Sequence, residues 1–302
     1  MAKSYIAAKR RGLGWNHSVE QLCVCEERSW FLTKVVVVND CAHTTANLVP
    51  FLQDDFEIDM LLRTRGLWSK TFGLMNRIRK SKADVYHVNY ALQDAWLVQK
   101  LKSLDVLWCH GSDVRKTQYS RLYGWIVKSN VKNAKCVLYA NPDSPQHLKA
   151  RPDAEYLAIP VNTDTFPLKT NYNNPPKALY MPKKTDTYNS QFTEICKKAG
   201  VPLSILERKF SYEKMPDLLA GYDILVDTFA IAGNSTLGIE AMSTGLAMVD
   251  YRDWGNLQNR METLREVEQV KREGQQNREF VLKTHDAKVV AKQLANKWQS
   301  CR

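Results

Sequence analysis

The chain has 302 residues, 44% of them hydrophobic, and carries 43 Lys and Arg against 32 Asp and Glu for a formal charge of +11. That length holds two domains of common size, and the ordinary Gly and Pro content excludes a fibrous or low-complexity protein. The positive excess favours an anionic partner, whether a nucleotide, an acidic membrane surface or nucleic acid, without choosing among them. No apolar stretch approaches the ~20 residues needed to cross a bilayer. The opening MAKSYIAAKRRG lacks the apolar centre of a secretion signal, so a cytoplasmic protein is expected, one that could still rest on a membrane. Seven cysteines, standing singly apart from Cys23 and Cys25, point to reduced thiols rather than a disulfide framework or a structural zinc.

Residues 1–32 precede the first clear strand and are read as an N-terminal extension. Lys34 to Asn39 (KVVVVN) is the first buried strand, followed by a loop and short helix through Leu52. The pattern then alternates. Strands are expected at Ile58 to Leu62, Val85 to Val88, Val106 to Cys109, Cys136 to Tyr139 and Tyr156 to Ile159. Helices are expected at Trp68 to Arg79, Gln93 to Leu101 and Leu122 to Val131. Pro160 to Pro176 is rich in Pro, Asn and Thr and reads as a linker. A second alternation follows, with strands at Ala178 to Met181, Leu203 to Leu206, Ile224 to Val226 and Leu246 to Val249. Apolar stripes at Met261, Leu264, Val267 and Val270, and at Val290, Leu294 and Trp298, have helical spacing. The fold class is therefore α/β: two doubly wound Rossmann-like domains facing a central cleft. We place the first at 33–165, the linker at 166–177 and the second at 178–302.

Ligands in such folds bind at the carboxyl ends of the strands, so candidate residues are sought there. The strongest segment is GNSTLGIEAMSTG after the strand Ile224 to Val226: Gly233, Asn234, Ser235 and Thr236 supply a turn and an N-cap, and Leu237 opens the helix. Its first N–H groups attract anions. Glu240 falls in the second turn, out of reach of a capping box. His110, Asp113 and Arg115 lie in WCHGSDVR after the fourth strand, and Asn39, Asp40 and His43 follow the first. Lys183 and Lys184 begin the second half, and Arg208 follows the strand Leu203 to Leu206.

The GNSTLGIEAMSTG segment resembles the donor-binding signature of family 4 glycosyltransferases of the GT-B fold, and HGSDVR resembles a run recurring in related enzymes. The resemblance implies a nucleotide-sugar donor, UDP- or GDP-linked, with the turn N–H groups on the diphosphate and Glu240 accepting from the ribose hydroxyls. It implies Lys183 and Lys184 as diphosphate cations, Arg208 beside the nucleobase, and His110 against the transferred sugar with Asp113 as its catalytic-loop partner. Asn39, Asp40, His43 and Arg115 would face the acceptor. It further implies retention of configuration, terminal helices packing back across the cleft, and no permanently bound cofactor. Many members carry a second glutamate where this chain has Ala232. No Asp-x-Asp motif is present, so no metal site is expected. The acceptor is expected to be a cell-surface glycan or lipid-linked sugar. The alternatives are a hydroxymethylated base in nucleic acid, or a nucleotide-sugar-binding module without catalysis.

Overall fold

The computed structural model describes residues 32–63, 72–182, 189–207, 210–227 and 235–302. The expected extension, Lys183, Lys184, Arg208, Ala232, Gly233 and Asn234 lie outside them.

The first sheet contains β1 (Thr33–Val38), β2 (Phe56–Leu61), β3 (Val85–Asn89), β4 (Val106–Cys109), β5 (Cys136–Tyr139) and β6 (Glu155–Tyr156), all parallel, in the order β2-β1-β3-β4-β5-β6. Between them run α1 (Leu74–Lys80), α2 (Gln93–Leu101), α3 (Ser112–Arg115) and α4 (Gly124–Asn133). The second sheet has β7 (Ala178–Tyr180), β8 (Leu203–Ile205), β9 (Ile224–Val226) and β10 (Ala247–Val249), parallel and ordered β10-β9-β7-β8. Its helices are α5 (Asn189–Ala199), α6 (Met215–Ala220), α7 (Thr236–Thr244), α8 (Leu257–Thr263), α9 (Val267–Thr284) and α10 (Ala287–Ser300). Both sheets share one winding: the second strand lies outside the first, and the third lies on the other side. Each therefore has a switch point, β1/β3 in one and β7/β9 in the other, where loops diverge and leave a crevice.

The unbroken valines of β1 follow from this layering. Val35 and Val37 enter one apolar cluster while Val36 and Val38 enter another on the opposite face, so neither face of the strand meets water. The cluster holding Val35 and Val37 also takes Leu179, Leu225 and Met248 from the second sheet and Leu294 and Trp298 from α10, and so forms the layer between the sheets. α10 lies against the first sheet: Trp298 meets Phe56 edge-on at 5.1 Å, and its Nε1–H donates to His87 Nδ1 at 3.2 Å.

α7 is buried from Leu237 through Thr244, held between its own sheet and α9. It stops at Gly245, whose φ of 86° suits the left-handed turn that closes a helix. α9 crosses there through Gly274, where a Cβ would collide with the Gly245 carbonyl.

Several boundaries differ from the sequence expectation. The segment after β1 forms two short 3-10 turns, Cys41–His43 and Val49–Phe51, because Asp40 draws the N–H groups of Thr45 (2.8 Å) and Ala46 (3.2 Å) to its carboxylate. The sixth strand ends at Tyr156. Leu157 still donates to Tyr139 O at 3.0 Å, and Leu157, Ala158 and Ile159 are buried in the cluster that includes residues of the second sheet. The stripe from Met261 to Val270 is split between α8 and α9 by the turn at 264–266. The stretch read as a linker is lashed down: Lys169 Nζ and Asn173 Nδ2 each bond Asp223 at 2.7 Å.

Candidate active site

At the β1/β3 switch point the backbone is strained. Asn39, His43 and Tyr90, none of them glycine, have φ of 65°, 57° and 84°, and Gly111 after β4 has φ 106°. Side chains rarely tolerate this region, and such residues persist where surrounding bonds over-determine them. Asn89, fully buried at the end of β3, supplies those bonds. Its Nδ2 donates to Asn39 O (3.0 Å) and Thr45 Oγ1 (2.8 Å), while its Oδ1 lies 3.1 Å from His110 Nε2. With the amide nitrogen committed as donor, Asn89 Oδ1 must accept, so Nε2 carries the proton of His110 and Nδ1 keeps its lone pair. Burial holds this ring neutral, lowering its pKa to about 3, and the Trp108 ring packs against it at 4.9 Å, tilted by 40°. His110 is thus an acceptor of hydrogen bonds at ordinary pH.

Asp113 is fully buried beneath the same loop. Its carboxylate accepts from the N–H groups of Gly111 (2.9 Å), Val114 (3.0 Å), Ala91 (3.0 Å) and His110 (3.4 Å), tying the β3 and β4 loops together. Burial raises its pKa against the pull of those amides. Arg115 turns back toward Asp143, 3.4 Å away, and its guanidinium leaves no room for a side chain at Gly111. Asp40 has its carboxylate in its own loop, and burial raises its pKa.

On the other side, Ser235 caps α7, as its sequence position implied. Its Oγ accepts from Gly238 N at 3.0 Å and donates to Asp227 Oδ1 at 2.9 Å. Asp227, at the end of β9 and 3% exposed, was not singled out from the sequence, yet it holds the cap and leaves no space for a Cβ at Gly238. Thr236 and Leu237 occupy the first two helical positions, where N–H groups point out of the helix.

The two halves meet in a cavity of 270 Å³ lined by His43, Met181, Phe210, Tyr212, Met215, Leu237 and Glu240. His43 comes from the first sheet's switch point and Glu240 from the second turn of α7, so two residues selected separately from the sequence share one wall. Glu240 is 7% exposed. Tyr212 donates to Asn47 Oδ1 at 3.3 Å and lies 6.0 Å from the His43 ring; burial raises its pKa, and the Glu240 charge adds to the rise. Sequence reasoning passed over Tyr212 and Asn89. A polar residue ending a buried strand and an aromatic in the FSYEK segment were the available signals. The cavity lining combines the apolar side chains of Met181, Met215 and Leu237 with one carboxylate and the rings of His43, Phe210 and Tyr212.

His87 makes the fold acid-sensitive. It is fully buried, and burial, with the His110 ring adding to it, lowers its pKa to about 3. A depressed pKa means that the unfolded chain binds the proton first. The stability contribution is whole above about pH 6.5, erodes as the pH falls below that, and is gone beneath the folded-state value, with a slope of about 1.4 kcal/mol per pH unit per ring. Thermal midpoints recorded from pH 7 to 4 will fall, and His87→Gln, which can still accept from Trp298, will flatten the slope. An unchanged slope in that variant would remove His87 from the account.

No protein-family profile matches the chain, and no curated protein matches its sequence. Solved structures match its fold. A sucrose-phosphate synthase from Thermosynechococcus elongatus superposes with a TM-score of 0.63 at 11% identity, over 89% of this chain and 98% of that one. HepE from Anabaena, solved with UDP and glucose, gives 0.61 at 12% identity over 89% and 100%. AviGT4, a glycosyltransferase of avilamycin A biosynthesis, gives 0.58 at 11% over 88% and 97%. The chain therefore has the GT-B arrangement of two Rossmann-like sheets about a cleft, and at these identities the likeness concerns fold alone.

Proposed function

We propose that the protein is a glycosyltransferase that moves a sugar from a UDP- or GDP-linked donor to a hydroxyl acceptor, with retention of configuration and without a metal. The observation that carries this reading is the meeting of Glu240, the capped start of α7 and His43 at one cavity between the sheets. In this reading Glu240 accepts from the ribose hydroxyls, and the Thr236 and Leu237 amides, with Gly233 and Asn234, receive the diphosphate. Lys183, Lys184 and Arg208 supply fixed positive charge, which matters most as the leaving group gains charge in the transition state. His110 Nδ1 accepts from a hydroxyl of the transferred sugar, and Asp113 positions His110 by holding its loop. The bond from the anomeric carbon to the diphosphate breaks as the acceptor oxygen bonds that carbon on the same face. The acceptor proton passes to the departing phosphate, so no side-chain base is required.

The test is thermal-shift and calorimetric titration with UDP, GDP and their sugar conjugates, for wild type and Glu240→Ala. Stabilisation by one nucleoside diphosphate, lost in the variant, supports the reading. Equal response to none of them, or a response indifferent to Glu240, overturns it.

The surface around α4 supports an acceptor at an anionic membrane. Between Asp113 and Asp143 the chain has six basic residues and no acidic one. Lys116, Arg121, Lys128 and Lys132 are exposed there beside Tyr119, Leu122, Tyr123 and Trp125, with Leu122 66% and Trp125 57% accessible. Basic residues beside exposed aromatic and aliphatic ones suit an anionic lipid interface, at ~1 kcal/mol for each cation near the surface. Among the described residues no helix is long and apolar enough to cross a membrane. Flotation should show binding to phosphatidylglycerol vesicles and not to phosphatidylcholine, reduced at least about tenfold by Arg121→Glu with Lys128→Glu. Steeply salt-dependent binding to duplex DNA in place of vesicle binding would instead favour a nucleic-acid acceptor.

A further inference from the structure

At the β6 edge of the first sheet lies a second cavity, of 450 Å³, which shares no lining residue with the one at Glu240. Three parts of the chain build it. Leu138 of β5, with Leu157 and Ala158 just past β6, contributes buried apolar side chains. Tyr156, which ends β6 and is 39% exposed, packs beside Tyr139 with ring centroids 5.8 Å apart. α10 supplies Gln293, Asn296 and Lys297, whose spacing of three and four residues puts them on one stripe of the helix. Val290, Leu294 and Trp298 of α10 are fully buried in the layer between the sheets, so the direction of that polar stripe is fixed by packing. α9 ends at the cavity with Lys283 and Thr284.

The charges in this lining do not favour an anion. Lys297 is paired with Glu155 at 2.6 Å, so two of them offset each other. The remaining one among the described lining residues, on Lys283, stands at the carboxyl end of an 18-residue helix, whose dipole is negative there. Gln293 and Asn296 each carry two N–H donors and an acceptor oxygen, and neither amide has a hydrogen-bond partner among the described residues. An uncharged sugar ring answers these groups. Its hydroxyls donate and accept as the amides do, and its C–H face lies against a tyrosine ring while the hydroxyls stay bonded. A phosphate or carboxylate calls for unpaired cations, and a purely apolar ligand leaves the amides unmatched. The cavity of 530 Å³ beside Gly200 and Arg265 has no aromatic ring in its lining and offers no such surface.

We propose that the cavity at the β6 edge is a second carbohydrate-binding site, which holds an uncharged oligosaccharide on Tyr156, Gln293 and Asn296. Its volume lies within the roughly 300–1,000 Å³ usual for small-ligand sites. The binding is independent of the donor reading. Where the acceptor is itself a glycan, a hold at this site raises its effective concentration at the protein.

Saturation-transfer difference NMR on the full chain tests this, with maltotriose, cellotriose, mannotriose and triacetylchitotriose at millimolar concentration and a heparin fragment as the anionic probe. At least one uncharged trisaccharide should receive saturation at its ring protons. That signal should persist in Glu240→Ala and in the presence of UDP or GDP, and failure of both nucleotides to bind leaves it as it stands. Gln293→Ala combined with Asn296→Ala should lower the affinity at least about tenfold, through the loss of hydrogen bonds from two amides. Tyr156→Ala should act likewise, while Tyr156→Phe, which keeps the ring, stays within about threefold of wild type. All three side chains are exposed, so the variants should melt close to wild type; should Tyr156→Ala fail to fold, the amide variant decides. No signal from any uncharged trisaccharide, a signal lost in Glu240→Ala or indifferent to the Gln293 and Asn296 substitutions, or binding of the heparin fragment alone overturns the proposal.

Discussion

Asp223→Ala is expected to cost the fold about 3–5 kcal/mol, the largest effect of any single substitution considered. Asp223 is fully buried at the start of β9 and its pair with Lys169 is 2.7 Å long, the lysine side chain being 3% exposed. The carboxylate also accepts from the N–H of Lys177 (2.8 Å), the N–H of Asn173 (3.2 Å) and Asn173 Nδ2. Removing it leaves a buried ammonium with the Tyr222 carbonyl and the face of the Tyr172 ring but no counter-charge, and deprives three further donors of their acceptor. Lys169→Met should cost less, because the three N–H donors still satisfy the carboxylate. Adding Lys169→Met to Asp223→Ala should restore part of the loss, since an apolar pair removes the stranded charge. Urea denaturation of the four proteins measures this. A loss under about 1 kcal/mol in Asp223→Ala would show that the segment 169–177 is not held as described.

Glu240→Ala should weaken nucleoside diphosphate binding by about 10- to 100-fold. The magnitude follows from hydrogen bonds to a charged acceptor, each worth about 1.5–3 kcal/mol, with ~1.4 kcal/mol per decade of affinity. Glu240 lines the cavity from the second turn of a helix that is buried along most of its length. Glu240→Gln should fall between, because an amide oxygen accepts but carries no charge. Calorimetric titration decides: affinity in Glu240→Ala within twofold of wild type would separate this residue from the donor. Melting the ligand-free variant alongside separates a loss of binding from a loss of folding.

Much of the fold was legible in the residues themselves. β4, β5, β9 and α2 have the limits that their apolar runs and periodicity imply, since a strand buried on both faces must be apolar throughout and a half-buried helix must repeat near 3.6 residues. Ser235 was legible as a cap because its hydroxyl serves a neighbour three residues away. What failed was a boundary governed by distant partners: the sixth strand ends at Tyr156, and the apolar residues after it are buried in the layer shared with the second sheet.

Local sequence thus determined which segments become strands and helices, and that their carboxyl ends carry the polar residues. Only the tertiary structure decided which of those ends face each other. His43 and Glu240 line one cavity and Asn89 sets the proton on His110 because strand order and sheet packing bring remote loops together. Nearest-neighbour propensities carry no information about such long-range pairings, which depend on how two apolar faces close on a shared layer.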